Sequence, residues 1–572
     1  MARTVAIGEQ NFSTMLANNY FYIDKTDFIK EWWENGDTVT LITRPRRFGK
    51  TLTMNMLDCF FSLRYKDAGK LFEGLHIWEE ESYRGIQGSY PVIFLSFADI
   101  KGSCYDTVRE KICQSIANLY MDHHFLLKSG FLEDADAEYF KKISADMNDA
   151  AAARSLGQLS RFLCRFYGKK VILLLDEYDT PMQEAYVNGY WQELAEFLRG
   201  LFQSAFKTNP YLERAVMTGI TRVSKESIFS ELNNLMVVTT ASRLYETAFG
   251  FTQDEVLHAL EEFGLQDRME EVRRWYDGFC FGECGSIYNP WSVINFLKFQ
   301  RFKAYWANTS SNSLVGKLIR EGDKEIKTVV EDLLKGKAFC VAVDEQMVFT
   351  DLDNSRNAVW GLLLASGYLK ITGYEVTDPQ LGDEGLAYWL AFTNLEIVVI
   401  FKKLVQGFFA PCSSDYNDFI KALLADDLKN MNAYMNRVAL SVVSFFDTGS
   451  GPSQKTEPER FYHGLVLGMM IDLGGRYSMT SNRESGFGRY DVLLEPLNAA
   501  DDGIIFEFKV RNEEDGEESL EDTAESALAQ ILEKKYAAVL AAKCGRERIR
   551  IYGFAFQGKQ VLIKGGPIRN YE

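Results

Sequence analysis

The sequence has few histidines, no framework of paired cysteines and no long apolar run. Only five histidines occur in 572 residues, so carboxylates rather than imidazoles must carry any metal chemistry. The nine scattered cysteines suit a reducing compartment better than a disulfide scaffold. No stretch approaches the roughly 18 apolar residues that cross a bilayer, and the first ten residues lack a signal-peptide layout. We therefore expect a cytoplasmic protein with no membrane partner.

The balance of charge is acidic, with 80 Asp and Glu against 63 Lys and Arg and a net charge of −17. This balance argues against a protein that coats nucleic acid without specificity, because phosphate binding depends mainly on Lys and Arg. It leaves room for a local basic cleft. The chain is too long for one hydrophobic core, so about two to four domains are expected.

Hydrophobic patterning divides the chain into three parts and predicts the α/β multidomain fold class. Over residues 1–248, β-rich runs alternate with helical patterns, which indicates a parallel sheet with helices on both faces. Its strands are expected to begin near residues 39, 92, 171, 214 and 235. Over residues 249–446, helical spacing predicts a mainly helical middle or lid region. A polar stretch then leads into a last domain, residues 456–572.

A phosphate-binding turn is expected where the strand VTLIT runs into PRRFGKT and then into an apolar helix. This strand, turn and helix are the context that a P-loop requires. Lys50 can reach the β and γ phosphates, and Thr51 can offer its hydroxyl to Mg2+. Arg44 stands where the GxxxxGK[ST] motif has its first glycine, and the following residues PRRF make the loop stiffer and more basic than usual. The residues expected to bind ATP here are Arg46, Arg47, Phe48, Gly49, Lys50, Thr51 and Leu52.

A second motif, VILLLDEYD, fits a buried central strand that ends in two acids at the carboxyl edge of the sheet. Asp176 is predicted to hold the Mg2+ shell, and Glu177 is predicted to polarise the attacking water. Thr218 and Arg222 follow the next strand, where a polar sensor and a γ-phosphate-sensing arginine are expected. A surface salt bridge is the open alternative for Arg222. The two motifs in this order predict ATP binding with Mg2+-dependent hydrolysis.

Three segments carry a likeness to a known family: YFYIDKTDFIKEWWENGDTVTLITRPRRFGKTLTMNML, LLLDEYDTPM and TGITRVSKESIFSELNNL. They resemble a family of bacterial AAA-ATPase-like proteins over roughly the first half of the chain. Members of that family have a similar PRRFGKT loop and commonly carry a C-terminal PD-(D/E)XK domain. The resemblance therefore implies an ATPase joined to a nuclease-like domain. It gives no role to Tyr22, Asp24 and Lys25, which precede the P-loop strand.

The last domain contains a predicted β-hairpin, built from GRYDVLLEP and IIFEFKV. Side chains alternate along a strand, so Glu507 and Lys509 are expected on one face. If Asp491 lies beside Glu507, the two carboxylates can bind Mg2+, and Lys509 can position or help deprotonate the attacking water. This arrangement resembles the PD-(D/E)XK core and predicts phosphodiester hydrolysis. An ordinary exposed cross-strand pair is the alternative for Glu507 and Lys509.

Two helices flank the hairpin and offer further site residues. The upstream helix offers Glu459 as an extra acid, although a charge favoured by the helix dipole is an equal alternative. The downstream helix offers Gln530 for the late glutamine motif of such folds. Tyr490 stands where the PD-(D/E)XK motif has proline, a change that leaves the predicted site intact.

These features predict an ATP-binding and ATP-hydrolysing protein that controls a Mg2+-dependent nuclease domain acting on DNA. One alternative is a nucleotide-gated switch or scaffold whose nuclease-like domain binds a partner without cleaving. Another is a bare ATPase with a structural cap. The expected cofactors are ATP and Mg2+. A homo-oligomer stays open as well, because many P-loop ATPases complete their site with an arginine from a neighbour.

Overall fold

The computed structural model describes residues 2–221, 229, 232–306, 312–322, 324–343, 355–377, 386–442, 456–482, 490–498, 500–512, 517–533 and 536–571. The backbone alone is described at residues 312, 313, 324, 356, 442, 456–460, 482, 490, 491, 536 and 539. Arg222 therefore lies outside the described residues, as do the side chains of Glu459 and Asp491. Two compact units emerge, Met1–Asn308 with Ala338–Ile397, and Thr309–Lys337 with Val398–Glu572.

A five-stranded parallel sheet forms the centre of the first unit. Its strands are β1 (Val39–Thr43), β2 (Val92–Ser96), β3 (Val171–Asp176), β4 (Leu212–Gly219) and β5 (Leu235–Val238). They lie in the order β2-β3-β4-β1-β5 and pair in parallel. Every residue of β1 and β3 is buried, as is typical of a parallel sheet covered on both faces. The sequence-based expectation of this sheet is confirmed.

Helices precede and connect these strands. They are α1 (Phe12–Ala17), α2 (Asp27–Asn35), α3 (Lys50–Phe61), α4 (His76–Glu79), α5 (Glu81–Arg84), α6 (Tyr105–Asp122), α7 (Phe125–Lys128), α8 (Asp134–Lys142), α9 (Asp149–Tyr167), α10 (Thr180–Asn188) and α11 (Trp191–Phe202). A π-helical turn, Gln203–Lys207, extends α11. The helix α3 leads directly away from the carboxyl end of β1, so the loop between them lies where ligands bind in open α/β sheets.

The middle region is mainly helical, as expected. It contains α12 (Gln253–Glu262), α13 (Met269–Tyr276), α14 (Pro290–Phe299), α15 (Asn312–Glu321), α16 (Lys324–Leu334), α17 (Arg356–Ala365), α18 (Leu395–Gln406), α19 (Ser413–Leu424) and α20 (Leu428–Val442). It also carries strands that the patterning did not predict, namely β6 (Phe279–Phe281), β7 (Cys284–Ile287), β8 (Phe339–Val341), β9 (Leu369–Val376) and β10 (Leu386–Phe392). The first two form a hairpin, and the others form an antiparallel sheet in the order β8-β10-β9.

The C-terminal part of the second unit is built on a mixed sheet with helices. Its elements are α21 (Thr456–Asp472), β11 (Tyr477–Asn482), β12 (Tyr490–Pro496), β13 (Gly503–Val510), α22 (Leu520–Glu533), α23 (Tyr536–Cys544), β14 (Ile549–Gln557) and β15 (Gln560–Pro567). The strands lie in sequence order, with β13 and β14 parallel and every other neighbouring pair antiparallel. The parallel pair is joined through α22 and α23. The predicted hairpin is confirmed as β12 and β13.

Aromatic side chains fill the core of this sheet on the face of α21. Tyr462 stacks on Phe508 at 5.5 Å between ring centres, and Phe508 lies 4.8 Å from Phe554. Because side chains alternate along β13, the burial of Phe508 on this face directs Glu507 and Lys509 to the other. The core thus fixes which residues of β13 can form a site.

The helix α20 covers the edge strand β15 through two asparagines one turn apart. The amide of Asn432 bonds both the carbonyl and the N–H of Ile563, at 2.8 Å each. Asn436 does the same with Val561, at 2.7 and 3.0 Å. These amides satisfy backbone groups that an open sheet edge would leave for other strands.

The domain boundaries expected from the sequence remain a prediction, and the two compact units divide the middle region between them. Within the described part of the chain, no helix is both long enough and apolar enough to cross a membrane.

Candidate functional site

The loop between β1 and α3 has the geometry of an anion-binding turn. It ends at Gly49, which caps α3 with a left-handed φ of 85°. Arg47 also has a positive φ, of 67°. The helix begins at Lys50, so its first amides and the positive end of its dipole border the loop. The strand, turn and helix expected from the motif are therefore present.

The lysine of the motif is folded back onto its own loop. Lys50 Nζ donates to the carbonyl oxygens of Arg44 and Pro45, both at 2.9 Å. Burial lowers the pKa of this lysine, while the negative charge of Glu177 and other carboxylates nearby opposes the shift. The ammonium thus lies at the loop with its hydrogen bonds directed to backbone oxygens.

The motif threonine and the first acid of the second motif are brought together. Thr51 Oγ1 donates to Asp176 Oδ2 at 2.8 Å, and Thr218 Oγ1 donates to Asp176 Oδ1 at 2.6 Å. The Asp176 side chain is fully buried, and burial raises its pKa, whereas the hydrogen bond from Thr218 lowers it. Hydroxyl and carboxylate oxygens in this arrangement fit a hard cation such as Mg2+.

The second acid occupies a strained position beside the first. Glu177 has a positive φ of 50°, which is uncommon for a residue with a side chain and is found at functional sites. Its amide donates to Thr218 Oγ1 at 3.2 Å, and its carboxylate accepts from Thr180 Oγ1 at 3.1 Å. Unlike Asp176, it is partly exposed to solvent. A carboxylate with solvent access is suited to contact water.

The two arginines predicted to bind ATP contact residues outside the loop. Arg46 Nη2 donates to Gln183 Oε1 on α10 at 2.9 Å. The guanidinium carbon of Arg47 lies 4.3 Å from the ring centre of Trp291 on α14. The motif does not indicate Gln183 or Trp291, because both are distant from the loop in sequence.

Phe48 and Leu52 direct apolar side chains inward. The Phe48 ring is buried and lies 4.7 Å from the ring of Phe279. Leu52 packs against the same core cluster. Any contact of Phe48 with a nucleotide would therefore come from its backbone.

A third acid in LLLDEYD, which the sequence analysis did not use, joins the ends of β3 and β4. Asp179 Oδ2 accepts from the amides of Ile220 and Thr221 at 2.9 and 3.1 Å. A Cβ on the neighbouring Gly219 would lie 2.9 Å from Asp179 Oδ1, so a glycine permits this close approach. Asp179 holds the sheet edge that carries Asp176.

The segment that precedes the P-loop strand, with Asp24 and Lys25, makes hydrogen bonds to other parts of the first unit. Lys25 Nζ donates to Thr247 O and to both carboxylate oxygens of Glu255, each at 2.7 Å. Asp24 Oδ2 accepts from the amide of His76 at 2.8 Å. These hydrogen bonds hold the segment before β1 against the start of α12 and against α4.

The nuclease-like site begins with a register pair. Asp491 on β12 lies directly opposite Glu507 on β13. Glu507 is fully buried, and neither oxygen of its carboxylate has a hydrogen-bond partner among the described residues. A buried carboxylate without a partner is costly, so this residue fits a bound cation with oxygen ligands. Within the described residues, no group of three or more His, Cys, Asp and Glu side chains is arranged so that it could hold a metal ion.

The helix α22 holds the lysine of this site. Lys509 Nζ donates to Ser526 Oγ at 2.6 Å. Gln530 lies one turn further along α22, is 8% exposed, and its Nε2 has no described hydrogen-bond partner. A Cβ at Gly553, which pairs with Glu507, would lie 2.5 Å from Ala524 O. This glycine therefore lets α22 approach the strands, and Ser526 is a contact that the sequence analysis missed.

Comparisons with known proteins match the two regions of the chain that carry these sites. Residues 6–229 match the family described as predicted AAA-ATPase, and residues 457–565 match the PD-(D/E)XK nuclease superfamily. The chain is also 27% identical over 402 residues to a protein of Azotobacter chroococcum mcd 1, named "Uncharacterized protein in vnfD 5'region". That match covers 69% of this chain and 68% of the relative.

The two families support an ATPase function and a nuclease-like function in general. The resemblance stated from the sequence is thereby confirmed. Residues 6–229 are therefore similar to the predicted AAA-ATPases, and residues 457–565 are similar to the PD-(D/E)XK nuclease superfamily.

Proposed function

We propose that this protein binds and hydrolyses ATP in its first unit and thereby controls Mg2+-dependent cleavage of DNA by its C-terminal domain. The observation that carries the nuclease assignment is the fully buried, unpartnered carboxylate of Glu507, in register with Asp491. A fold that keeps such a charge in its core loses stability unless a cation compensates it. A catalytic metal site explains why that cost is tolerated.

In the nucleotide site, Thr51 and Asp176 would hold Mg2+, since their oxygens already lie 2.8 Å apart. When bound, Mg2+ neutralises charge on the phosphates. Lys50 would exchange its two carbonyl acceptors for phosphate oxygens, a charge-assisted interaction that is stronger than the one it leaves. Glu177, partly exposed beside Asp176, would orient the attacking water. For Arg222, the role of γ-phosphate sensor remains part of the proposal.

In the C-terminal site, Asp491 and Glu507 would hold Mg2+. Positions paired across antiparallel strands carry their Cβ atoms about 4.5–5.5 Å apart, a spacing that two ligands of one cation require. When bound, the metal acts as a Lewis acid and lowers the pKa of water. Lys509, whose ammonium donates to Ser526, would position the attacking water or help to deprotonate it. Gln530 and Glu459 complete the proposed set.

The test is cleavage of plasmid and single-stranded DNA by the purified full chain with Mg2+ or Mn2+. We expect metal-dependent cleavage that is lost in Asp491→Ala and in Lys509→Ala. Lys564→Ala is the matched control, because Lys564 also contacts α22, through Glu525 at 2.6 Å, and should retain activity. Cleavage that persists in the first two variants would overturn the site assignment. ATP turnover without any cleavage would favour the switch or scaffold.

A further inference from the structure

We propose that Arg44 is a positioning residue of the phosphate-binding loop, which fixes from inside the protein the backbone that holds Lys50. The proposal rests on the nucleotide-binding part of the proposed function. The motif alone identifies Arg44 only as the residue that stands where the first glycine is expected. The Arg44 side chain is fully buried.

The guanidinium of Arg44 binds backbone oxygens from two separate segments. Nη1 donates to Thr43 O at 2.9 Å and to Thr239 O at 2.7 Å. Nη2 makes longer hydrogen bonds, of 3.4 Å, to Leu244 O and Tyr245 O. The planar fork of arginine can reach several carbonyls at once, which a lysine ammonium at the same place cannot reproduce. Arg44 thus ties the end of β1 to the segment that follows β5.

Two aromatic rings complete the surroundings of this guanidinium. Its carbon lies 4.5 Å from the ring centre of Phe281 and 5.8 Å from that of Phe249. Burial lowers the pKa of Arg44 to about 9, and the charge of Glu246 opposes the shift. Removing the side chain would take away all four of these hydrogen bonds to backbone oxygens, and the loss of a donor to a buried acceptor is costly. These contacts therefore hold the guanidinium of Arg44 in one position.

The backbone of the same residue carries this geometry to the motif lysine. Arg44 N donates to Gly219 O at the end of β4, at 3.1 Å, and Arg44 O accepts from Lys50 Nζ at 2.9 Å. The side chain of Arg44 is bound to the segment after β5, and its backbone is bound to the end of β4. The carbonyl that holds Lys50 consequently cannot move without disturbing the segment after β5.

The experiment compares the full chain with Arg44→Gly, which restores the usual motif, and with Arg44→Lys, which keeps the charge. Arg550→Lys is the matched control, because Arg550 is buried like Arg44 and likewise donates to backbone oxygens, in this case those of Leu423 and Leu424. Three quantities are measured for each protein: the melting temperature, the Kd of a fluorescent ATP analogue with Mg2+, and amide hydrogen exchange across residues 44–52.

We expect both Arg44 variants to weaken analogue binding at least about tenfold and to speed exchange at residues 44–52 well below their melting temperatures. Arg550→Lys should lower the melting temperature and change neither of the other quantities. Should Arg44→Gly fold poorly, Arg44→Lys still decides the matter.

Analogue binding in Arg44→Gly as tight as in the natural chain, with unchanged exchange in the loop, would overturn the proposal. If the natural chain binds no nucleotide, the proposed function fails, and the exchange data still decide the role of Arg44. Faster exchange confined to residues 44–52 and to the segment after β5 that Arg44 contacts supports it. Unchanged exchange, or a uniform rise throughout the first unit, contradicts it.

Discussion

The hydroxyl of Thr51 and the carboxylate of Asp176 are joined by a hydrogen bond of 2.8 Å that links the first turn of α3 to the end of β3. The other carboxylate oxygen accepts from Thr218 at 2.6 Å. Both oxygens of a fully buried acid are therefore oriented before any ligand arrives. Such preorganisation avoids the cost of ordering ligands at the moment of binding.

Replacing Thr51 tests this arrangement. Thr51→Ser keeps the hydroxyl and should bind ATP in Mg2+ as the natural chain does. Thr51→Val keeps the shape but removes the oxygen, so its affinity for ATP in Mg2+ should fall about tenfold, while affinity in EDTA changes little. Isothermal titration in both buffers measures the difference. Equal losses in Mg2+ and EDTA would show that Thr51 supports the fold rather than the metal.

Glu507→Gln should stabilise the protein while it abolishes cleavage. The carboxylate is buried without a described partner, so a neutral side chain of the same shape relieves about 1–3 kcal/mol of desolvation cost. In EDTA the variant should melt at a higher temperature than the natural chain. Added Mg2+ should raise the melting temperature of the natural chain more than that of the variant, because the variant lacks one ligand of the C-terminal site.

Glu525→Gln on α22 is the control for that substitution, since Glu525 is exposed and pairs with Lys564. It should change the melting temperature little. A Glu507→Gln protein that melts lower than the natural chain in EDTA would contradict the assignment of Glu507 as an uncompensated charge.

Ser526 is expected to act through Lys509. Ser526→Ala removes the hydroxyl that lies 2.6 Å from Lys509 Nζ, and cleavage should fall about tenfold, less than in Lys509→Ala. Ser526→Thr retains a hydroxyl and should recover most of the activity. Ser519→Ala, on the N-terminal side of the same helix, serves as the control. Equal cleavage by Ser526→Ala and the natural chain would remove Ser526 from the site.

A buried acid in the first unit should make stability depend on pH. Burial raises the pKa of Glu396 to about 7, although hydrogen bonds from the Trp306 amide, the Ser292 hydroxyl and the Tyr305 amide lower it. The folded state therefore binds a proton more tightly than the unfolded state, whose glutamate has an ordinary pKa near 4.3. This contribution is present in full below that ordinary value and is lost as the pH rises through 7.

The unfolding free energy of the natural chain should thus fall between pH 4.5 and 7.5 by on the order of 3 kcal/mol more than that of Glu396→Gln. Melting temperatures measured at several pH values in this range test the prediction. Parallel curves for the two proteins would show that Glu396 is not the group responsible.

The sequence predicted elements that are long or strongly patterned. The strands β1 and β3 are runs rich in apolar and β-branched residues, and each leads directly into its motif. The pairing of Asp491 with Glu507 followed from one turn between two strands, because a hairpin fixes register locally. By contrast, β6 and β7 have three and four residues, too few to show a period of two.

Contacts between distant segments could not be predicted from pattern. Arg44 reads as a basic loop residue, yet its side chain binds oxygens of residues 239–245, almost 200 positions away. The contacts of Arg47 with Trp291 and of Lys509 with Ser526 could not be predicted either, because neither Trp291 nor Ser526 belongs to a motif. Residue spacing identifies which chemistry is available, whereas tertiary packing decides which groups meet.

The most direct test of the central claim is the rate of Mg2+-dependent DNA cleavage by the full chain, measured with and without ATP and repeated with Lys50→Ala. We expect that ATP changes the cleavage rate of the natural chain, that Lys50→Ala loses this response, and that Lys509→Ala loses cleavage itself. A cleavage rate in the natural chain that is the same at every ATP concentration would contradict control by the ATPase unit.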